Sequence, residues 1–411
     1  MADLQDGPDT VTAPATAFGD LEDPVSPAEA PAESDALGEV TVESFVLGKV
    51  PVELDALGEV AIESDAPGET PAEHDAPAAP EPATETPVAV PPLVRAREIL
   101  RTHPVADGCS GLGPVLGGMH SYDLETGENL LETDVPRLRA GGVGAQFWSL
   151  HVPDPAGPHA LAATLDLIDL ICSTVADCPE GLRLALSAGD MADARNCGRV
   201  AALLGPVAGP AIGDSLAALR ACHTLGVRSL SLAGTRWTRG DGLTPFGHEV
   251  VREMNRLGIL VDLSGCSPDT MRRALAVAKA PVLLSHHPEP PPDDILRGVS
   301  ANCGVCMVMC TAGTLPETVD LLEHVRDVAG PESVALSGAY DTGLPHAAGL
   351  GDVSCFPGLI AELLERDWSE ADVAALTWSN IARVVRDADF AARAIQARRP
   401  PSRATIDILD A

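Results

Sequence analysis

From residue 94 onward the chain alternates between two hydrophobic patterns. Short, nearly continuous apolar runs fall at 141–152, 182–188, 200–207, 227–234, 258–265, 280–287, 304–310 and 333–341, after a first one in "PVADG", 104–108. Such runs read as strands buried on both faces, which is the mark of a parallel sheet covered by helices. Between them lie segments of helical period, such as 94–102 and 159–178.

Start signals sharpen several of these helices. Thr244 and Ser267 are each followed by Pro, the favoured first helical residue, and Ser369 stands three residues before Asp372. Asp214 reads as the N-cap of "SLAALR". Seven to nine strand–helix units in one body predict a TIM-like (β/α)8 barrel, with an open doubly wound sheet as the alternative. No Gly-rich dinucleotide fingerprint follows the first strand, which weakens the open sheet.

Before this body the pattern is different. At a ten-residue offset from Glu33 the chain repeats "ESDALGEVTV", "ESFVLGKVPV", "ELDALGEVAI", "ESDAPGETPA" and "EHDAPAAPEP", spanning about 33–82. Pro, Ala and Glu dominate there, so little apolar surface is available to offset ordering entropy. Residues 1–92 are therefore expected to be a disordered acidic tail, with 93–411 as the folded domain. Recruitment through the repeats is the functional alternative to a merely solubilising tail.

Charge supports that division. Residues 1–93 hold 21 acidic residues and one basic residue (Lys49), leaving 60 − 21 = 39 against 27 − 1 = 26 in the body. A body at −13 offers no footprint for a phosphate backbone, so no nucleic acid is expected. The ten cysteines are scattered through apolar runs, which suits reduced thiols. The first twenty residues lack the basic and apolar regions of a secretory signal, and no long uncharged apolar run suggests a membrane span. The expectation is a cytoplasmic protein.

In a barrel of this kind chemistry belongs at the C-terminal strand ends. There the sequence places Cys109, Gly111, His151, Val207, Gly234, Gly265, Cys266, His286, His287, Cys310, Tyr340 and Asp341. "NCGVCMVMC" has one Cys pair at metal-knuckle spacing but no second pair, so packing is the preferred reading. Cys306, Val308 and Cys310 then share one strand face, and Met307 and Met309 the other. Arg236 and Arg239 lie in a loop with Trp237, a loop that could lie over the barrel mouth and offer cations to an acidic group.

Several long segments give the body a resemblance to a known family. These are "TDVPRLRAGGVGAQFWSLHVP" (133–153), "IGDSLAALRACHTLGVRSLSL" (212–232), "GLTPFGHEVVREMNRLGILVDLSGCSPDTM" (242–271), "APVLLSHH" (280–287) and "GLGDVSCFPGLIAELLERDWSEADVAALTWSNIARVV" (349–385). The body resembles the renal (membrane) dipeptidase family of zinc peptidases over about 94–390. That resemblance implies a barrel with two zinc ions at the strand ends, activating water for attack on a dipeptide.

Carried over residue by residue, the implied ligand set is mostly absent. The His-x-Asp pair of the first strand falls on Cys109 and Gly111, and the bridging Glu on Val207. A substrate-side His falls on Gly234, the His of "DLSH" on Gly265, and only His286 survives, as a vestigial metal residue. "HPEPPPDD" has no Arg for a substrate carboxylate, and the first Asp of the Asp-Phe-Asp pattern is Ala339, while Asp341 remains. Glycine and valine have no donor atom, and one histidine holds no catalytic ion.

The resulting expectation is a catalytically degenerate pseudo-dipeptidase, binding a small peptide or metabolite in a pocket formed by Cys109, Gly234, Gly265, Cys266, His287, Cys310, Tyr340 and Asp341. No cofactor is expected, with zinc as the alternative. The competing reading is an active metal-dependent hydrolase rebuilt around Cys109, Cys266 and His286. Homodimerisation, or pairing with an active relative, completes the expected partners.

Overall fold

The computed structural model describes residues 90–411, apart from 128–129, 239–241 and 312. The acidic repeats and Arg239 lie outside these described residues. The first helix, Pro92–Thr102, opens with Pro at its start and buries Ala96, Ile99 and Leu100.

Nine strands follow: β1 Val105–Ser110, β2 Val143–Leu150, β3 Leu182–Leu184, β4 Val200–Ala208, β5 Ser229–Ser231, β6 Leu260–Asp262, β7 Val282–Leu284, β8 Val305–Met309 and β9 Val334–Ser337. Eight run parallel in the order β1-β2-β4-β5-β6-β7-β8-β9, and β3 pairs with β4 off this path. The ring closes beyond β9, where Ala339 N donates to Cys109 O at 3.0 Å and Gly111 N to Tyr340 O at 2.7 Å. This is the expected TIM-like barrel, with helices between successive strands.

Burial follows from the apolar runs. Every residue of β1, β2 and β4 is buried, because barrel interior and helical layer cover opposite faces. Cys306 and Val308 of β8, with Cys310 just beyond it, join the larger core cluster, whereas Met307 joins a smaller one with Phe147 and Leu203.

Local chemistry sets most helix starts. Thr244 accepts from Gly247 N and Ser267 from Thr270 N, each before a Pro. Thr314 and Glu317 form a reciprocal capping box at the start of Leu315–Ala329. Two local expectations are corrected. The N-cap of helix Leu216–Thr224 is Ser215, while Asp214 has φ 55 and pairs with Arg236 at 3.4 Å. The run 182–188 is strand only to Leu184, since Ser187 caps the helix Ala188–Asn196.

Candidate active site

The barrel mouth holds a cavity of about 830 Å³, within the range of small-molecule sites. Its walls are chiefly apolar: Val115, Pro155, Pro206, Val207, Met309 and Leu344 all face it. Of the residues singled out from the sequence, Cys109, Gly234, Gly265, His286 and Asp341 line the cavity, with Gly111, His151, Val207 and Ala339.

Four others do not line it. Cys310 and Tyr340 are fully buried in the larger core cluster, and Cys266 is buried there at 8 % exposure. The cause at Tyr340 is a twist after β9: Ala339 and Asp341 adopt φ 53 and 59, so both line the cavity while the phenol packs outward. Its ring meets His346 at 4.8 Å and Phe356 at 5.8 Å. His287, half-buried, lines a separate crevice and contacts the Glu289 carbonyl through Nδ1 at 2.5 Å. Trp237 is fully buried rather than placed over the mouth.

His286 is held from beneath by a buried carboxylate. Asp262 accepts from Ser264 N at 2.9 Å, from Ser285 N at 3.4 Å and from the Ser285 hydroxyl. That hydroxyl also lies 2.8 Å from His286 Nδ1, and Ser264 Oγ accepts from His286 N at 3.0 Å. Ser285 has spent its one proton on Asp262, so towards His286 it accepts, and Nδ1 carries the ring proton. The remaining nitrogen, Nε2, is then the ring's free acceptor.

The electrostatics agree with this order. Burial pushes the Asp262 carboxyl up, but the His286 ring beside it and the Ser264 and Ser285 donors outweigh burial and hold it low. Burial pulls His286 down, yet Asp262, 3.6 Å away, raises it above its ordinary value. His151 is lowered by burial and by the positive charge available at His286.

Two further carboxyls behave differently. Asp107 is fully buried, accepting from Gln146 Nε2 at 2.9 Å and Gly338 N at 2.5 Å, and burial pushes it up to about 6. Asp341 is also raised to about 6 by burial, which outweighs the lowering hydrogen bonds from Glu132 N and Thr133. Glu132 N donates to Asp341 Oδ1 at 2.8 Å, Asp341 N to Glu132 Oε2 at 2.6 Å, and His346 Nε2 lies 2.9 Å from that same oxygen. Asp262, Glu132 and His346 escaped sequence reasoning. A lone Asp inside the apolar "GILVDLSG" was the one available signal.

Thiol chemistry is poorly supported by these surroundings. Burial, then the Asp107 and Asp262 carboxylates, push the Cys109 thiol far up, and Cys266 is pushed up to about 12. A nucleophilic or metal-binding cysteine needs the opposite setting, one that favours thiolate.

Three comparisons bear on the fold's ancestry. The sequence profile of "Membrane dipeptidase (Peptidase family M19)" matches residues 93–399. "Dipeptidase 3" of Macaca fascicularis is 36% identical over 343 residues, covering 74% of this chain and 69% of that protein. The structure of a metallo peptidase from Rhodobacter sphaeroides, liganded with a phosphinate mimic of the dipeptide L-Ala-D-Ala, superposes at TM-score 0.63 and 21% identity. It is covered to 99% and covers 69% of this chain. The structure of dipeptidase AC, a metallo peptidase of family M19, superposes at TM-score 0.63 and 22% identity, over 70% of this chain and 99% of that one.

These comparisons correct one expectation. Family M19, whose profile matches this chain, is represented in this fold by a metallo peptidase, so a metal is the group the family implies and the expectation of no cofactor does not stand. The donor set of this chain nevertheless does not fit a dinuclear centre. Among the described residues no three His, Cys, Asp or Glu side chains converge to hold an ion. At position 111 a β-carbon would lie 2.2 Å from the Asp341 carbonyl oxygen, so the backbone there admits no carboxylate side chain.

Proposed function

The chain belongs to the membrane dipeptidase family, peptidase family M19, and from that premise we propose that it is a catalytically degenerate dipeptidase-like protein. Its barrel mouth binds a small peptide or peptide-like metabolite instead of cleaving it. One observation carries the reading: a cavity of about 830 Å³ opens at the barrel mouth, while its ionisable lining amounts to Cys109, His151, His286 on Asp262, and a raised Asp341. The Rhodobacter protein holds a dipeptide mimic, and a ligand of that size suits about 830 Å³.

In such a complex His286 Nε2 makes one hydrogen bond with the ligand, accepting when the ring is neutral and donating when it is charged. The apolar walls exclude water and take up side chains, worth roughly 25 cal/mol per Å² of apolar surface covered. The described cysteines carry no disulfide, which suits a reducing compartment such as the cytoplasm. Among the described residues no helix is long and apolar enough to cross a membrane. A dimer, with itself or with an active relative, is the assembly in which a binding-only subunit has a regulatory use.

The test is a dipeptide panel assayed with the full chain, with and without added divalent metal, beside calorimetric binding of the same peptides. Saturable binding without turnover is expected, and His286→Ala weakens the binding. Turnover above the His286→Ala background, abolished by a chelator, would sink the reading.

A further inference from the structure

A second cavity, of about 370 Å³, lies at the opposite end of the barrel, at the N-terminal ends of β1, β2 and β4. Arg97, Arg101, Arg139, Arg195 and Arg199 line it, and no acidic residue does. In a chain with 27 basic and 60 acidic residues, five guanidiniums around one unneutralised cavity need a cause.

Helix ends account for part of this. Arg101, Arg139 and Arg195 occupy the last turns of Pro92–Thr102, Val135–Ala140 and Ala188–Asn196, where a cation offsets the negative helix terminus. Arg139 donates to the Glu180 carbonyl at 2.9 Å, and Arg195 to the Thr102 carbonyl while lying 5.5 Å from the Trp378 ring centre. Arg199 has a distant partner in Glu180 at 3.9 Å, a side chain 83% exposed. Three helix termini supply at most roughly half a negative charge each, so five full positive charges leave the cavity strongly cationic.

Arg97 has no helix terminus to offset, and Arg101 has only that of its own helix. Neither has a hydrogen-bond or ion-pair partner among the described residues. Four residues apart on one helix, they share a face, and like charges at that spacing repel. The cavity floor beside them is apolar, formed by Leu100, Pro104, Val143 and Pro357. Gly198, at φ 69, leaves one side open, with nothing within 4 Å of where its β-carbon would stand.

We propose that this cavity binds a small phosphate ester, its phosphate held between Arg97 and Arg101 and its organic part on the apolar floor. A guanidinium matches phosphate oxygens two at a time, which an ammonium does not. The site is separate from the peptide-binding mouth and stands whether or not that reading holds.

Calorimetric titration of the full chain with adenosine monophosphate, ribose 5-phosphate and inorganic phosphate, at low and high salt, tests it. Saturable binding of at least one ester is expected, tighter than that of inorganic phosphate and weakened by salt. The double change Arg97→Ala with Arg101→Ala weakens it at least tenfold, and Arg386→Ala, exposed elsewhere, does not. Both replaced residues are exposed, so an unchanged melting temperature verifies folding, and Arg199→Ala, at another lining residue, is expected to weaken ester binding as well. Inorganic phosphate binding as tightly as both esters overturns the ester assignment. Absence of saturable binding, or binding that survives the double change, overturns the site.

Discussion

Gly111 and Asp341 meet backbone to backbone: a β-carbon on Gly111 would stand 2.2 Å from the Asp341 carbonyl oxygen and 2.9 Å from Thr342 Cα. The contact closes the barrel between β1 and the segment after β9. It also occupies the space in which a side chain at position 111 would need to begin. The glycine at this strand end is therefore required by the backbone, and no side chain fits there unless the segment after β9 shifts.

Gly111→Ala is expected to destabilise the protein by about 2–3 kcal/mol, since overpacking against backbone is not relieved by a rotamer change. Gly111→Asp combined with Cys109→His is expected to yield no dipeptide turnover with added metal. Urea unfolding and an activity assay test the pair. A Gly111→Ala variant as stable as the parent contradicts the close contact.

Asp107 gives a pH signature. Its carboxyl is raised from 3.8 to about 6, so the folded state holds a proton that the unfolded state releases at lower pH. Folding then favours the protonated form, and the contribution is fully present below about pH 4 and lost as pH rises towards 6. At about 1.4 kcal/mol per pKa unit, the loss is on the order of 3 kcal/mol. Asp107→Asn removes this term, so the stability difference between parent and variant shifts in the variant's favour between pH 4 and 6. Denaturation curves at several pH values measure it, and parallel profiles for the two proteins contradict it.

The C-terminal segment caps a distant helix. Asp410 accepts from Thr244 Oγ1 at 2.6 Å and from Phe246 N at 2.9 Å, at the start of Pro245–Leu257. Asp410→Ala is expected to cost about 0.5–2 kcal/mol, the usual worth of an N-cap. Thermal unfolding reads this directly, and Asp410→Asn recovers part of the loss because its amide oxygen still accepts.

Thiol reactivity separates exposure from activation. Cys197 and Cys303 are exposed and are expected to react first with a disulfide reagent in the folded protein. Cys109 lines the cavity, yet burial and two neighbouring carboxylates keep its thiol protonated, so it reacts slowly. Mass spectrometry of early labelling products distinguishes the sites. Rapid modification of Cys109 restores the case for a reactive cysteine there.

The barrel was legible because its signals are local. Apolar runs, the Pro after Thr244 and after Ser267, and the helical period of 159–178 each act over a few residues. The same locality misled where neighbouring residues compete. Ser215 took the cap expected of Asp214, and Ser187 began a helix inside an apparent strand.

Sequence alone determined a parallel barrel and the residue types at its strand ends, because hydrophobic period and donor chemistry are properties of each position. It could not determine which of those ends share a cavity. The left-handed turns at Ala339 and Asp341 hide Tyr340 in the core and turn its two neighbours toward the cleft. Glu132 reaches Asp341 across 209 residues, and five arginines meet at the far end, only once the strands have closed. Those relations depend on how β1 meets the segment after β9 and on how β1, β2 and β4 line up at the far end, packing geometries that no local pattern encodes.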